Sequence, residues 1–393
     1  MTVTEAILAI NAGSSSIKFG VYDAAGLGVR LKGRVTAIDT ADVRFQARSG
    51  KGESIVDQHW GSSSGCGPIE RLLAWIDDHL DGVELVAAGH RVVHGGGDFT
   101  HPVAIDADIL GRLTALTPLA PLHQPGSLAP IRALSRLRSD LLQVACFDTA
   151  FHSGLTPPAG RFAIPRALEE KGIRRYGFHG LSYESIAQTL RTRDDGAGAD
   201  LVVVAHLGSG ASLCAMKALH SIDTTMGFSP LDGVVMGTRP GSLDPGILLY
   251  LMREEGYDLD GLEIMLNHQC GLAGISGIGS DVVALLASPL REAREAIEQF
   301  AFSIAGHVAM LATTLGGLDR LIFTGGIGEH AWQVRAMIAD RLGWLGLRLD
   351  RVANKANAAL ISSNSSSIRA ERIATDEEGV IVGHAARLYG KRD

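Results

Sequence analysis

The feature that most restricts how this 393-residue chain can fold is a short pattern that occurs twice. Near the start, Ile7-Leu8-Ala9-Ile10 runs into Asn11-Ala12-Gly13-Ser14-Ser15-Ser16 and then into Ile17-Lys18-Phe19-Gly20-Val21-Tyr22. Over Ala6–Tyr22 this reads as a strand, a turn of small residues and a second strand. Past the midpoint the pattern returns: Leu201–Ala205 is rich in valine, His206-Leu207-Gly208-Ser209-Gly210-Ala211-Ser212 is a small-residue turn, and Leu213–Met216 is apolar again. Ser16 and Ser212 hold matching places about half a chain apart, which predicts two copies of one fold.

The intervening sequence fits that reading. Leu85–Val93 and Leu141–Phe147 are short apolar runs that end in charged and small residues, as buried parallel strands do. Glu70–Leu80, Ile131–Leu137 and the longer Glu292–Leu315 carry apolar residues at three- and four-residue intervals and predict helices. A strand is predicted at Arg320–Phe323, a turn at Thr324–Glu329 and a helix from about Ala331 to Leu342. Polar stretches at Arg191–Asp200 and Ser362–Ser367 read as surface loops. Strands alternating with helices make an α/β protein. With 46% apolar residues, a chain of this length can bury two cores. The expected boundaries are 1–150 for the first domain and 151–379 for the second, with a C-terminal segment of about 380–393 packing back on the first.

Composition removes several functions. The net charge of −7 arises from acids and bases mixed along the chain, so no surface is expected to attract nucleic acid or anionic lipid. Cys66, Cys146, Cys214 and Cys270 are far apart and lack zinc-ligand spacing, which suits free thiols in a reducing cytosol. The first residues lack the basic and apolar regions of a secretory signal, and no apolar run is long enough for a membrane helix. The expected location is therefore cytoplasmic. Neither G-x-x-x-x-G-K-[ST] nor G-x-G-x-x-G occurs, which excludes a P-loop and a Rossmann fingerprint. Gly61-Ser62-Ser63-Ser64-Gly65 fits the nucleophile-elbow formula, but it lacks the flanking strand and helix that give the formula meaning.

Three small-residue turns at strand ends remain, at Asn11–Ser16, His206–Ser212 and Gly325–Glu329, where backbone N–H groups can line a phosphate chain. Taken singly, each is equally a plain tight turn. Two cations sit among apolar residues and glycines: Arg91 in Gly89-His90-Arg91-Val92-Val93-His94-Gly95-Gly96, and Arg239 in Met236-Gly237-Thr238-Arg239-Pro240-Gly241. A guanidinium there can hold a carboxylate or phosphoryl oxygen through two parallel hydrogen bonds, or can form a structural ion pair. His123 and His179 lie in similar surroundings, where a histidine serves either chemistry or packing. Asp148 follows the apolar run ending in Phe147, just beyond a strand's carboxyl end, where α/β proteins bind ligands. Glu377, in Asp376-Glu377-Glu378, reads equally as a solvated acid or as a carboxylate for Mg²⁺, which takes only one or two protein carboxylates and keeps several waters.

These segments together resemble the motifs of the acetate kinase family. The resemblance is carried in order by Asn11–Lys18, Gly89–Gly96, Phe147–His152, Tyr176–Gly180, Asp223–Pro230 with Met236–Arg239, and Phe323–Glu329, and it spans nearly the whole chain. It implies the acetate and sugar kinase, heat-shock-70 and actin superfamily: duplicated ribonuclease-H-like (actin-like ATPase) domains, an interdomain cleft that takes ATP, and a homodimer. It further implies Mg²⁺, replaceable by Mn²⁺, with ATP and acetate as substrates. Arg91 and Arg239 would hold the acetate carboxylate and the moving phosphoryl group, and His179 would stabilise its charge. Asn11, Ser14, Ser16 and Lys18 would surround the phosphates. Asp148 and Glu377, with Asn11, would position the metal. Val93, Leu122, Phe178 and Pro230 would enclose the methyl group, with His123 beside them. His206, Gly208, Ser209 and Gly210 would border the nucleotide phosphates, and Asp281 with Gly325, Gly326, Ile327 and Gly328 would approach the adenosine.

The sequence departs from the family pattern mainly on the nucleotide side. Ser209 stands in place of Asn, Val283 in place of an Arg beside the base, and His330 in place of the Asn that ends Gly-Glu-Asn. Gln124 replaces an Asn, and Leu181 and Tyr183 replace Thr and His. Loss of a planar cation at 283 implies weak discrimination among phosphoryl donors. A propionate or butyrate kinase remains open, since one methylene in an apolar pocket is worth only about 1–3 kcal/mol. A non-catalytic actin-like nucleotide switch also remains open, although it has no need of a carboxylate clamp. A sugar kinase would need an Asp base and a polar pocket, and the proposed pocket is apolar and small.

Overall fold

The computed structural model describes residues 4–13, 16–38, 40–61, 67–80, 82–193 and 196–391. Ser14, most of the Gly61–Gly65 segment and Cys66 lie outside them. The chain forms two compact units, Met1–Ala150 with Asp376–Asp393, and Phe151–Thr375.

The first unit is built on a sheet of β1 (Glu5–Ala12), β2 (Ser16–Asp23), β3 (Val29–Thr36), β4 (Arg44–Ser49), β5 (Ser54–His59), β6 (Glu84–Val92), β7 (Val103–Ala104) and β8 (Leu142–Phe147), in the order β5-β4-β3-β2-β1-β6-β8-β7. β1 is antiparallel to β2 and parallel to β6, and β6 is parallel to β8. Every residue of β8 and nearly every residue of β1 is buried, as expected of parallel strands covered on both faces. Helices Pro68–Asp78 and Gln124–Leu137 contribute to this core, as do Phe19, Phe45, Trp60 and Trp75, which form one aromatic cluster. Pro130 lies inside the second of these helices. A proline removes a backbone donor, and this masked the first half of the helix from the apolar periodicity.

The C-terminal helix Glu377–Tyr389 begins at Asp376, whose carboxylate accepts the Gly379 N–H, and packs on β1, β6 and β8. Gly89 makes room for it: a Cβ there would lie 2.4 Å from Ile381 Cγ2. That glycine near Arg91 therefore admits a helix.

The second unit contains β9 (Leu201–Leu207), β10 (Ala211–Lys217), β11 (His220–Thr224), β12 (Arg320–Thr324) and β13 (Arg369–Arg372), in the order β11-β10-β9-β12-β13. The first three strands are antiparallel neighbours, and β9, β12 and β13 run parallel. This repeats β3-β2-β1-β6-β8 of the first unit strand for strand, so the hairpins around Ser16 and Ser212 are topological equivalents. The long helix Arg291–Leu315 covers this sheet and ends at Gly316, which takes the left-handed conformation of a C-cap.

Two expectations need correction. Gly325–His330 is a helix, not an open turn; it starts at Gly325, whose φ of +75° and 2.7 Å gap between an added Cβ and the Leu207 carbonyl exclude a side chain. Arg191–Arg193 belong to helix Gly180–Arg193 and not to the loop that follows.

Candidate active site

In the first unit, the parallel direction of β1, β6 and β8 brings their carboxyl ends to one edge, and three candidate side chains follow from that. Asn11 is at the end of β1, opposite Lys18 on β2; Arg91 is near the end of β6; Asp148 comes directly after β8. Arg91 Nε lies 3.1 and 3.0 Å from the two Asp148 oxygens, Nη2 donates to Oδ2 at 2.5 Å, and Nη1 donates to the Ala12 carbonyl at 3.3 Å. Asp148 is 2% exposed. The two residues assigned above to different partners, substrate and metal, thus hold each other. Burial works against the Arg91 charge, but Asp148, with Glu377 and Glu378 beyond it, keeps the guanidinium pKa above its ordinary value.

Asn11 Nδ2 donates to Glu377 Oε2 at 2.8 Å and to Glu378 Oε1 at 3.0 Å. Burial and the neighbouring Glu377 charge push the Glu378 carboxyl up, while Lys18 and Asn11 oppose them. Glu378 was missed by sequence reasoning because consecutive acids near a chain end are usually solvated.

Among the described residues no three His, Cys, Asp or Glu side chains form a ready metal cage. The available set is carboxylate and amide oxygens from Asn11, Asp148, Glu377 and Glu378. It crowds like charges around one arginine, and such a set suits a hydrated Mg²⁺ ion rather than a soft metal.

In the second unit, the candidate side chains His179, His206 and Arg239 gather around the β9–β10 turn. His179 and His206 stack with ring centroids 4.4 Å apart. Each Nδ1 is 2.8 Å from a serine hydroxyl, Ser212 for His179 and Ser182 for His206. A Cβ on Gly210 would lie 2.6 Å from Arg239 Nη2 and 3.5 Å from His179 Nε2, so glycine at 210 lets these two groups close over the turn. Arg239 Nη1 donates to the Pro230 carbonyl at 2.8 Å. His179 has a φ of +59°, a conformation that costs a non-glycine residue about 1–3 kcal/mol and that clusters at functional sites. Cationic and hydrogen-bonding groups around a glycine turn can hold a phosphoryl chain.

Beside the same turn is a cavity of about 700 Å³, lined by Gly208, Ser209, Asp281, Val282, Val283, Leu286, Ala287, Gly326, Ile327, His330, Ala331, Trp332 and Gln333. It is large enough for a nucleoside, and its walls are mainly apolar. The pairing of His206 with Thr324 on neighbouring strands brings the glycine helix to it. Arg335, fully buried, donates 2.8 Å to the Gly328 carbonyl and also bonds Asn354 and Asn357, anchoring that helix from behind. Trp332 had no signal in the sequence beyond its position after Glu329-His330-Ala331. Val283 is 76% exposed at the cavity lip.

The remaining site residues are placed as follows. Ser16 begins β2, and its carbonyl accepts the Gly13 N–H at 2.7 Å. Ser14 lies outside the described residues. Val93 and Phe178 are buried, whereas Leu122 is 44% exposed. His123 precedes helix Gln124–Leu137 at its N-cap. Asp281 caps helix Val282–Ala287 through the Ala284 N–H, so one of its oxygens is committed. Gln124 is fully buried and bonds His94 and Leu113 backbone groups, a structural use of a position that differs from the family pattern.

Comparison with known proteins agrees with this architecture. Residues 6–383 match the profile of the Acetokinase family. An acetate kinase of Nitrobacter hamburgensis is 45% identical, covering 98% of this chain and 96% of that protein. The crystal structure of a propionate kinase from Francisella tularensis superposes with a TM-score of 0.89 at 36% identity, over 98% of this chain and 99% of its own. That of the Porphyromonas gingivalis acetate kinase gives 0.84 at 29% identity, over 98% and 99%. With two α/β sheets of matching topology and this likeness over nearly its full length, the chain has the actin-like ATPase fold and belongs to the acetokinase family.

Proposed function

We propose that the protein is an acetate kinase, transferring the γ-phosphoryl group of MgATP to acetate to give acetyl phosphate and ADP, and catalysing the reverse. The observation that carries this reading is the Gly210 turn of the second unit, where Arg239 and His179 converge, together with the buried Arg91–Asp148 pair of the first.

Acetate is ionised at neutral pH, so its oxygen needs no general base before it attacks the γ-phosphorus. The new O–P bond forms as the bond to the β-phosphate oxygen breaks, with charge spread over three equatorial oxygens. Catalysis then rests on alignment and charge neutralisation. Arg91 and Arg239 supply guanidinium donors for the carboxylate and the phosphoryl oxygens, and His179 supplies a ring N–H. Asp148 fixes the Arg91 fork. Asn11, Asp148 and Glu377, with Glu378, would hold Mg²⁺, which would supply neutralisation of phosphate charge. Ser16 and Lys18 serve the phosphates, as do His206, Gly208, Ser209 and Gly210. The 700 Å³ cavity takes the nucleoside, with Asp281 and Gly325–Gly328 at its edge. Val93, Leu122, Phe178 and Pro230 limit the acyl group, with His123 at its side.

A second copy of the chain is the natural partner. Helix Pro245–Glu254 has no buried residue and exposes Ile247, Leu249, Tyr250 and Met252, an apolar surface suited to a homodimer. Among the described residues, Cys214 and Cys270 are free thiols, and no helix is long and apolar enough to cross a membrane. Both features suit the cytosol.

A propionate kinase is the second reading, favoured by the 0.89 TM-score to the Francisella enzyme. Incubation with MgATP and acetate, propionate or butyrate, with hydroxylamine trapping of the acyl phosphate, separates the two. The expected order of kcat/KM is acetate, propionate, butyrate. Propionate first selects the second reading, and no hydroxamate from any acid removes both.

A further inference from the structure

Behind His179 is a chain of two hydroxyls that the reaction itself does not require. Ser212 Oγ lies 2.8 Å from His179 Nδ1 and 2.5 Å from Tyr183 Oη. Both Ser212 and Tyr183 are completely buried. We propose that Tyr183 is a positioning residue: by donating to Ser212 it commits the Ser212 proton to His179 Nδ1, and so holds the imidazole neutral with its own proton on Nε2. This rests on the reading above that His179 serves the phosphoryl group.

The direction of the chain follows from counting donors. Among the described residues the Tyr183 hydroxyl makes one hydrogen bond, to Ser212. Were Ser212 to donate to Tyr183 instead, the phenolic proton would be left buried and unmatched, at a cost of about 1–3 kcal/mol. Burial, with the nearby Cys214, also pushes the Tyr183 phenol well above its ordinary pKa, so that proton stays in place. Tyr183 therefore donates, the Ser212 proton points to His179, and Nδ1 acts as an acceptor. The remaining ring proton must sit on Nε2, the atom on the Gly210 side near Arg239. With the opposite tautomer, a lone pair would face the anionic oxygens that the turn is built to bind.

The surroundings favour the same state. Among the described residues, the titratable and charged groups around this chain include His206, stacked on His179; Arg239, across Gly210; and His152 and Cys214, beside Tyr183, with Asp223 beyond Cys214. His152 Nε2 lies 3.0 Å from the Phe178 carbonyl, which can only accept, so Nε2 carries the proton; Nδ1 lies 2.8 Å from the Ser221 hydroxyl. The Arg239 cation across Gly210 works against an imidazolium at 179. Tyr183 also stands where the family pattern usually has a histidine, so this device belongs to the present chain's departure from that pattern.

The test is long-range ¹H–¹⁵N NMR of the full-length protein labelled with ¹⁵N-histidine, recorded against pH for wild type, Tyr183→Phe, Ser212→Ala and the double variant, alongside turnover. Wild type is expected to show His179 protonated at Nε2 alone. In Tyr183→Phe the tautomers mix and the imidazolium appears at higher pH. The acid limb of kcat moves up in pH, and kcat falls about tenfold with the acetate KM within twofold. Ser212→Ala gives the same spectral change if Tyr183→Phe does not fold, and the double variant loses no more than Ser212→Ala. Tyr183→His, which restores a donor, recovers much of the turnover. A wild-type Nδ1–H tautomer, or a Tyr183→Phe spectrum identical to wild type, overturns the proposal. Changed spectra with unchanged turnover uphold the hydrogen-bond order and overturn instead the role given to His179.

Discussion

The two sheets share one strand order, yet the matching strand ends carry different chemistry. At the carboxyl ends of β1, β6 and β8 are an amide tied to two glutamates of the C-terminal helix, and a guanidinium paired with a buried carboxylate. At the equivalent ends of β9 and β12 are glycines, hydroxyl-anchored histidines and a helix N-terminus. A duplicated fold therefore supplies two similar edges, and side-chain choice makes one suited to charge and cation and the other to phosphate oxygens and a nucleoside. The first depends on ion pairing that is also structural, whereas the second depends on space left by glycine.

That contrast breaks if the two arginines, alike in their effect on turnover, are also alike in their effect on stability. Arg91→Ala and Arg239→Ala are each expected to lower kcat by at least about a hundredfold. Arg91→Ala also leaves Asp148 buried without its partner, so denaturant unfolding is expected to show a loss of about 3 kcal/mol. Arg239→Ala, whose Nη1 meets a backbone carbonyl, is expected to stay within about 1 kcal/mol of wild type. Equal stability losses in the two variants would remove the distinction.

A smaller effect separates the units in acid. Burial holds His90, His94 and His152 down to about 3, 4 and 4 against 6.5 for a free imidazole. The unfolded chain then binds more protons, so this stability is fully present above pH 6.5 and is lost as pH falls toward 4. Between pH 6.5 and 5 the loss is about 2 kcal/mol for each histidine. Two of the three lie in the first unit, so hydrogen exchange at pH 5 is expected to expose its amides before those of the second. The reverse order would contradict the assignment.

The smallest expected effect concerns the donor. Val283→Arg restores the planar cation of the family pattern at the cavity lip and should raise the ATP over GTP ratio of kcat/KM by about threefold to tenfold. An unchanged ratio would show that Trp332 and its neighbours already set base preference.

Much of this was legible in the sequence because it depended on local pattern. The two hairpins, the buried strands that end at Val92 and Phe147, and the long helix ending at Leu315 follow from apolar periodicity and turn residues. The match of Ser16 to Ser212 was legible for the same reason. What was not legible depended on partners distant along the chain. Arg91 and Asp148 each read as a ligand group, and their pairing follows only from β6 and β8 being parallel neighbours. Gly89 serves Ile381, about three quarters of the chain away. Glu378 looked solvated until its helix packed on β1, and Tyr183 read only as a departure from the family pattern, its hydroxyl partner Ser212 being distant along the chain. The Gly325–His330 turn became a helix because glycines conceal helical periodicity.

The most direct test follows one oxygen atom. With MgATP and acetate labelled with ¹⁸O in both carboxylate positions, in-line transfer makes one labelled oxygen the bridge to phosphorus. Hydroxylamine then attacks the carbonyl carbon and releases phosphate carrying that atom. Mass spectrometry of the phosphate is expected to show one ¹⁸O per molecule of hydroxamate formed. Phosphate without label, released while ATP is consumed, would mean that water and not the carboxylate takes the phosphoryl group.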